Sequence, residues 1–186
     1  MPDLTEHPVS SKTVYKGRLL HVKEDQVRLP NGHIATREYI DHPGAVIIIA
    51  VLDNGDILME RQFRYPLGKI FYELPAGKID EAEDTLTCAQ RELLEETGYT
   101  AKDWQYVTSL HPAIGYSSET MVLYLARGLS YAGQQLDKDE FLEVLPMPLN
   151  QALEKVRCGE ITEVKAMIGL FWAEKISSSA WTLGKP

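Results

Sequence analysis

The sequence predicts a mixed α/β sandwich, and three observations carry this prediction. Residues Ala45–Leu52 form a near-continuous apolar run, which is typical of a strand buried on both faces. The stretch Gly77–Tyr99 contains an amphipathic helix with strand patterns on both sides of it. Two further helical patterns close the chain after the last strand. Strands interleaved with helices in this way predict a sheet covered by helices.

The N-terminal residues 1–42 are predicted to form a small antiparallel sheet of their own. Residues 1–12 are polar, and we expect them to be loose at the tip. Apolar positions then alternate from Thr13 to Ile40 around a Pro-Asn-Gly turn, which favours a hairpin or meander. Because so small a sheet is marginal alone, we expect it to pack on the main domain, residues 43–186, or on a second subunit. A homodimer is therefore predicted.

Strand patterns in the main domain occur at six places: Ala45–Leu52, Asp56–Phe63, Phe71–Leu74, Trp104–Leu110, Met121–Ala126 and Phe141–Leu145. The first two should form a hairpin, because Asp53-Asn54-Gly55 is a turn sequence. Residues 129–139 are polar and are predicted to be a mobile loop.

Two helices are predicted after the last strand. The first is amphipathic and spans Leu149–Arg157, ending near Gly159. The second spans Glu163–Ile176 and should be N-capped by Thr162. Its buried side is predicted to carry four large apolar residues: Val164, Met167, Ile168 and Phe171.

The acidic residues of the internal helix are placed where a stability argument would reject them. Glu92, Glu95 and Glu96 share one face within about a turn, near the negative end of the helix dipole. Gly98 should end this helix, and Asp80 with Glu83 could form a capping box at its start. Two interpretations follow: a solvated acidic face, or a site for a hard divalent cation such as Mg²⁺.

Composition excludes several classes of function. The formal net charge of −8 disfavours non-specific binding to nucleic acid. Two cysteines, Cys88 and Cys158, make no disulfide framework and suit a reducing compartment. Neither a signal-peptide h-region nor an apolar run of membrane-spanning length is present. We expect a cytoplasmic protein without nucleic-acid or membrane partners.

The spacing of Gly77, Glu83, Arg91-Glu92-Leu93, Glu95-Glu96 and Gly98 resembles the Nudix box at every fixed position. This resemblance implies an α/β/α sandwich with a mixed sheet and hydrolysis of a nucleoside diphosphate linked to another moiety. It implies that Mg²⁺, with Mn²⁺ as a possible substitute, is held by Glu92, Glu95, Glu96 and the carbonyl of Ala76, which should be exposed in the loop that enters the box. Arg91 would orient the glutamates, and Arg91 and Glu95 would belong to the catalytic set.

The wider sequence resembles the subfamily of ADP-ribose pyrophosphatases and nucleoside-diphosphate-sugar hydrolases. That resemblance implies a catalytic base on a mobile acidic loop, where Glu140 is preferred over Asp139 and Asp137. It also implies substrate contacts from four residues: Arg37, Arg64, Tyr39 and Glu119. Each of these could instead have a structural role, the arginines as surface ion pairs and Tyr39 as packing.

One departure weakens ADP-ribose as the sole substrate. Subfamily members specific for ADP-ribose usually carry Ser-Pro-Gly after the box, whereas this chain has Ala113-Ile114-Gly115. This leaves room for nucleoside diphosphate sugars such as GDP-mannose or UDP-glucose as substrates. Tyr116 falls near a tyrosine of diadenosine polyphosphate hydrolases, which leaves that activity as an alternative. A Nudix-fold module that binds such a ligand without hydrolysing it is the other alternative.

Overall fold

The computed structural model describes residues 1–136, 138 and 141–183. Its contacts divide the chain into two compact units. The first contains residues 1–44 and 111–120, and the second contains residues 45–110 and 121–186. Three strands make up the sheet of the first unit: β1 (His7–Lys16), β2 (His21–Arg28) and β3 (Ile34–Ile40).

The first unit is an antiparallel meander in the order β1-β2-β3. Its first strand begins at His7, so residues 1–6 are the part of the segment 1–12 that lies outside regular secondary structure. The strand is exposed along its whole length and its first half is mostly polar, yet it pairs with β2 from His7 opposite Arg28 to Lys16 opposite His21. Backbone pairing needs no apolar side chain, which is why the sequence pattern missed its first half.

Residues 111–120 return to the end of this sheet. The Ile40 N–H donates to the Tyr116 carbonyl at 2.9 Å, and the Ser118 N–H donates to the Ile40 carbonyl at 3.0 Å. Ile40 and Ser117 form a parallel bridge. The loop after the predicted strand Trp104–Leu110 therefore belongs by its contacts to the N-terminal unit, although it lies far from that unit in sequence.

The second unit contains seven strands and three helices within its described residues. They are β4 (Ala45–Ala50), β5 (Ile57–Arg64), β6 (Lys69–Glu73), β7 (Ala76–Lys78), α1 (Thr85–Thr97), β8 (Tyr99–Leu110), β9 (Met121–Tyr131), β10 (Leu142–Met147), α2 (Leu149–Arg157) and α3 (Val164–Ser177). One turn of 3₁₀ helix, Tyr65–Leu67, joins β5 to β6. The helix α2 has the predicted bounds.

The strands β4 and β5 lie in different sheets, so the predicted hairpin between them is wrong. The mixed sheet has the order β7-β4-β9-β8, in which β4 is parallel to β9. The other sheet has the order β10-β5-β6 and is antiparallel. Only a single bridge, Val51 with Ile57, joins the two at the turn. One edge of β4 pairs with β9 along the whole strand, and the other edge pairs with β7 over Ala45, Val46 and Ile47, so β5 cannot pair along the length of β4.

Alternate residues of β4 serve two separate cores. Ile47 and Ile49 pack in a cluster that includes residues of α2 and α3, whereas Val46 and Ile48 pack in a cluster that includes residues of α1. All six residues of the strand are buried. Helices therefore cover both faces of the mixed sheet, which confirms the predicted α/β/α sandwich.

The last helix buries a different face from the predicted one. Its buried residues are Ala166, Gly169, Leu170 and Ala173, whereas Val164 is 48% exposed. A Cβ atom at Gly169 would overlap the side chain of Leu74, so the helix backbone packs directly on the core. The small residues Ala166, Gly169 and Ala173 permit that approach, and Leu170 is the large side chain buried beside them. The cap also differs: the side chain of Glu163 accepts from the Ala166 N–H at 2.8 Å, in place of Thr162.

In the described part of the chain, no helix has both the length and the apolar character needed to cross a membrane. Cys88 is a buried free thiol, and Cys158 is an exposed one. Burial is the main cause that raises the pKa of the Cys88 thiol to about 12, followed by the nearby charge of Glu83.

Candidate active site

The helix α1 begins later than its sequence suggests. Its N-cap is Asp84, whose Oδ1 accepts from the backbone N–H of Leu86 at 3.1 Å and of Thr87 at 3.0 Å. The predicted capping box at Asp80 is therefore wrong as a helix start. Glu83 does accept from the Asp80 N–H at 3.1 Å, but this bond closes a turn that precedes the helix. Gly98 ends the helix with a φ of 75°, as predicted.

Arg91 holds three of the box glutamates through its guanidinium. Its Nε and Nη2 donate to the two carboxylate oxygens of Glu83, both at 2.9 Å. Its Nη1 donates to Glu92 at 2.8 Å and to Glu95 at 3.0 Å. A last donor of Nη2 reaches the Lys78 carbonyl at 3.2 Å. The five N–H donors of the group are thus all engaged, and the hydrogen bonds that Arg91 donates to Glu83 are the main cause that raises the Arg91 pKa.

Glu92 and Glu96 lie against the backbone of β7. The Ala76 N–H donates to Oε2 of Glu96 at 2.9 Å, and Glu96 is only 6% exposed. The Glu92 carboxylate occupies the space that a Cβ atom at position 77 would need, so any residue other than glycine would displace this carboxylate. Ala76 lies in β7 opposite Ile47, so the expectation that it belongs to a loop is wrong.

These side chains surround a polar pocket of about 340 Å³. It is lined by Ala76, Gly77, Lys78, Asp80, Arg91, Glu92, Glu95 and Glu96. Its carboxylates outnumber its two cations, which gives it a negative field. All four predicted metal-binding residues and Arg91 therefore meet in one place.

The donor set fits a hard divalent cation, because carboxylate and carbonyl oxygens are the ligands that Mg²⁺ prefers. Among the described residues, however, no group of three His, Cys, Asp or Glu side chains is already arranged around a metal position. Glu92 and Glu95 are turned to Arg91, and Glu96 to the backbone of Ala76. A bound cation would have to share these carboxylates with their protein donors, and the four lone-pair positions of a carboxylate allow that.

Arg64, at the end of β5, lies in the same unit and is paired with Glu73 on β6. Its Nε donates to Oε1 of Glu73 at 2.6 Å, and its Nη2 donates to Oε2 at 2.8 Å. Sequence reasoning proposed Arg64 as a substrate contact but missed Glu73. No local signal identifies this partner, because the two residues lie on different strands and come together only when β5 and β6 have folded into one sheet.

The other three predicted substrate residues belong to the first unit. Arg37 forms a bidentate pair with Glu6, at 2.9 and 2.5 Å, and Tyr39 donates from its hydroxyl to Asp25 at 3.1 Å. Glu119 lies 3.8 Å from Nε2 of His42. The predicted base, Glu140, and its alternatives Asp137 and Asp139 lie outside the described residues.

The comparison with known families identifies the chain. Residues 41–164 match the NUDIX domain model, and residues 6–40 match the model of the nucleoside diphosphate sugar hydrolase N-terminal domain. The chain belongs to the Nudix family. It is a Nudix hydrolase with the α/β/α fold of that family, whose members generally use divalent metal ions.

Individual relatives agree with this membership. The ADP-ribose pyrophosphatase of Bacillus subtilis (strain 168) is 39% identical over 89% of this chain and 90% of its own length. The ADP-ribose pyrophosphatase of Mycobacterium tuberculosis (strain ATCC 25618 / H37Rv) is 38% identical over 91% of this chain and 84% of its own. A crystal structure of an ADP compounds hydrolase superposes with a TM-score of 0.83 at 23% identity, covering 96% and 97% of the two chains. The last similarity concerns the fold alone.

Proposed function

We propose that this Nudix hydrolase cleaves the pyrophosphate bond of ADP-ribose or of a nucleoside diphosphate sugar such as GDP-mannose, in the presence of Mg²⁺ or Mn²⁺. The products are a nucleoside monophosphate and a sugar phosphate. The observation that carries the proposal is the acidic pocket between β7 and α1, where Glu92, Glu95 and Glu96 converge. The match of the N-terminal segment to a nucleoside diphosphate sugar hydrolase model supports the choice of substrate.

Glu92, Glu95, Glu96 and the Ala76 carbonyl are the proposed metal ligands. The cation supplies charge neutralisation at the pyrophosphate oxygens and lowers the pKa of a bound water. Arg91 fixes Glu92 and Glu95 by hydrogen bonds of 2.8 and 3.0 Å, which preorganises two of the ligands. Its own guanidinium has no donor left over, so Arg91 acts by orienting the glutamates.

The catalytic base is proposed to be Glu140. A separate carboxylate is chemically reasonable, because a glutamate that coordinates metal is a poor base. Glu140→Gln should lower kcat by roughly two to four orders of magnitude, the usual range for a general base, and should change KM little. Steady-state kinetics on Glu140→Gln, Asp139→Asn and Asp137→Asn decide the assignment. If only Asp139→Asn is inactive, the base is Asp139, and if all three remain active, the base belongs to the box.

A homodimer is proposed through the N-terminal sheet, with Arg37, Tyr39 and Glu119 completing the partner's substrate site. Support comes from the exposed apolar residues of β1, among them Val9, Val14 and Tyr15, each more than half exposed. Light scattering at micromolar concentration tests this proposal. A monomer with full activity would contradict it.

A hydrolysis screen tests the function as a whole. Purified protein with Mg²⁺ is given ADP-ribose, GDP-mannose, UDP-glucose, FAD and diadenosine polyphosphates, and the products are separated by chromatography. We expect turnover of ADP-ribose or a nucleotide sugar and no turnover in EDTA. Preference for diadenosine polyphosphates would replace the proposed substrate class. Tight binding without turnover would instead indicate a ligand-sensing module.

A further inference from the structure

Glu73 is a carboxylate buried at the end of β6, outside the acidic pocket. It is 3% exposed, although isolated ionised carboxylates are costly to bury. Burial taken alone raises the pKa of Glu73, but the hydrogen bonds and charges of Arg64 and Lys165 outweigh burial, and the pKa is lowered overall. The side chain is therefore ionised at neutral pH, and its charge is matched by cations from two different elements.

The cations around Glu73 come from β5 and α3. Arg64 binds both carboxylate oxygens in the fork geometry of a guanidinium, at 2.6 and 2.8 Å. Lys165 lies 3.6 Å from Oε2 of Glu73 and donates to Glu163 at 2.7 Å. Glu163 in turn caps α3 through the Ala166 N–H. The start of α3 is thus tied electrostatically to the end of β5.

The ion pair with Glu73 engages only part of the Arg64 guanidinium. Its side chain remains 46% exposed, whereas that of Glu73 is buried. Of the five N–H donors of a guanidinium, the fork with Glu73 engages two, and among the described residues no hydrogen bond is seen to the other three. Because Nε and Nη2 are fixed on a buried group, the plane of the guanidinium is fixed as well. The remaining donors therefore have a set direction and a low entropic cost for binding an anion.

Stability alone does not explain this arrangement. Replacing a buried ion pair by apolar residues is often neutral or stabilising, so the pair is weak evidence for a structural role. A guanidinium that is half exposed and rigidly held is instead suited to recognise phosphate oxygens. The charge of Glu96 contributes, after Glu73, to raising the Arg64 pKa, so Arg64 is within electrostatic reach of the acidic pocket.

We propose that Glu73 is a positioning residue for substrate, which holds Arg64 so that its remaining donors bind the diphosphate oxygens of the nucleotide substrate. This inference rests on the proposed function, since it needs a diphosphate ligand. Glu73 does not touch the substrate in this proposal. Glu73 affects substrate binding through Arg64 alone. Replacing Glu73 should therefore have no further effect on KM once Arg64 has been removed.

The test compares Glu73→Gln with wild type on the best substrate of the screen. An amide presents N–H groups to the guanidinium on one side, so the fork is lost and Arg64 is released. We expect KM to rise about tenfold, as for the loss of one charge-assisted hydrogen bond, with kcat within about threefold. The matched control is Glu143→Gln, which removes the 2.7 Å partner of Arg61 in the same sheet and should leave KM within about twofold.

The double variant separates positioning from packing. Arg64→Ala should raise KM at least as much as Glu73→Gln, and Arg64→Ala/Glu73→Gln should have the KM of Arg64→Ala alone. Additive effects, or an unchanged KM in Glu73→Gln, would overturn the inference. Should Glu73→Gln fail to fold, Glu73→Asp makes the same comparison, because its shorter side chain keeps the charge and loses the fork.

A binding measurement separates this inference from the proposed function. The Kd of ADP-ribose is measured by calorimetry in EDTA for wild type, Glu73→Gln and Glu143→Gln. A Kd that rises about tenfold in Glu73→Gln, and stays at the wild-type value in Glu143→Gln, supports the positioning role. This holds even for a protein without turnover. Absence of wild-type turnover on every substrate defeats the proposed function, and a Kd equal in all three proteins defeats the inference.

Discussion

Two arginine–carboxylate clusters lie in the second unit, and they differ in charge balance and in burial. Around Arg91, one guanidinium serves Glu83, Glu92 and Glu95, and the carboxylates exceed the positive charge. Around Arg64, the acids Glu73 and Glu163 are balanced by Arg64 and Lys165. The first cluster lines a pocket. The second buries its central carboxylate.

The difference in charge balance indicates different functions for the two clusters. An excess of partly exposed carboxylates is unfavourable without a further cation, so the Arg91 cluster is suited to bind one. A balanced and buried pair gains nothing from a metal ion, and its geometry is fixed already in the free protein. We therefore expect substitutions around Arg91 to change metal-dependent activity, and substitutions around Arg64 to change the binding of substrate.

The largest expected effect follows from removing one carboxylate of the Arg91 cluster. Glu96→Gln and Glu92→Gln should each lower kcat roughly a hundredfold or more, because metal catalysis supplies several kcal/mol and each 1.36 kcal/mol is tenfold in rate. The fold should persist, since a glutamine oxygen can still accept from the Ala76 N–H. Mg²⁺ should raise the Tm of the wild type and raise that of the variants less.

The control for these variants is Glu81→Gln, which removes an exposed carboxylate outside the pocket lining. It should keep the activity and the Mg²⁺-dependent rise in Tm of the wild type. Turnover near the wild-type level in Glu92→Gln and Glu96→Gln would show that the two clusters do not differ in metal binding.

The same contrast explains what the sequence could predict. The carboxylates of α1 were placed on one face by helical spacing alone, since residues three and four apart are neighbours whatever the rest of the chain does. Arg64 and Glu73 meet only in the folded sheet that follows the 3₁₀ turn Tyr65–Leu67. They are not opposite residues there, since Arg64 lies opposite Lys69 and Glu73 opposite Glu60. Gly68 closes that turn with a φ of 62°. Nothing in the spacing of the two residues indicates that register.

Elements whose pairing or packing is decided by distant parts of the chain were predicted less accurately. The turn at residues 53–55 is a hairpin signal, yet β5 pairs with β6 and β10 because β4 is already paired on both edges. In α3, hydrophobicity indicated the face with Val164 and Phe171, but Gly169 allows the backbone to approach Leu74 closely. The buried face therefore combines small residues with Leu170, and no local pattern shows that this face is preferred over the one with Val164 and Phe171.

A second, smaller effect is expected from the glycine that faces Glu92. Gly77→Ala places a Cβ atom where the Glu92 carboxylate lies, so this flexible side chain has to move while the backbone of β7 stays. A displacement of about 1 Å can cost roughly a hundredfold in rate, so we expect kcat to fall about 10- to 100-fold with little change in Tm. Kinetics and thermal unfolding at several Mg²⁺ concentrations measure both effects.

Gly115→Ala is the control for this substitution, because a Cβ atom there meets no neighbour within 4 Å and the backbone is not left-handed. It should unfold like the wild type and keep its response to Mg²⁺. An active Gly77→Ala enzyme with unchanged Mg²⁺ affinity would mean that the position of Glu92 seen here is not needed for metal binding.

The smallest effect concerns the pH dependence of stability in the Arg91 cluster. Hydrogen bonds from Arg91 are the main cause that lowers the pKa of Glu83 from its ordinary 4.5 to about 2. A carboxylate with a lowered pKa in the folded state stabilises the fold fully above its ordinary pKa and loses this contribution as the pH falls to the folded value. Glu83→Gln should therefore lower the free energy of unfolding by about 1 kcal/mol at pH 7, and the difference from wild type should shrink between pH 4.5 and about 2.

Urea unfolding of wild type and Glu83→Gln in EDTA, from pH 7 down to pH 2.5, measures this difference without any metal contribution. The comparison variant is Glu154→Gln, which removes the carboxylate of an exposed pair with Arg157. Solvent screens that pair, so its substitution should cost less at every pH. A difference for Glu83→Gln that stays constant over the whole range would mean that Glu83 has a similar pKa in the folded and unfolded chains. In that case the ion pair with Arg91 would orient the glutamates without adding to stability.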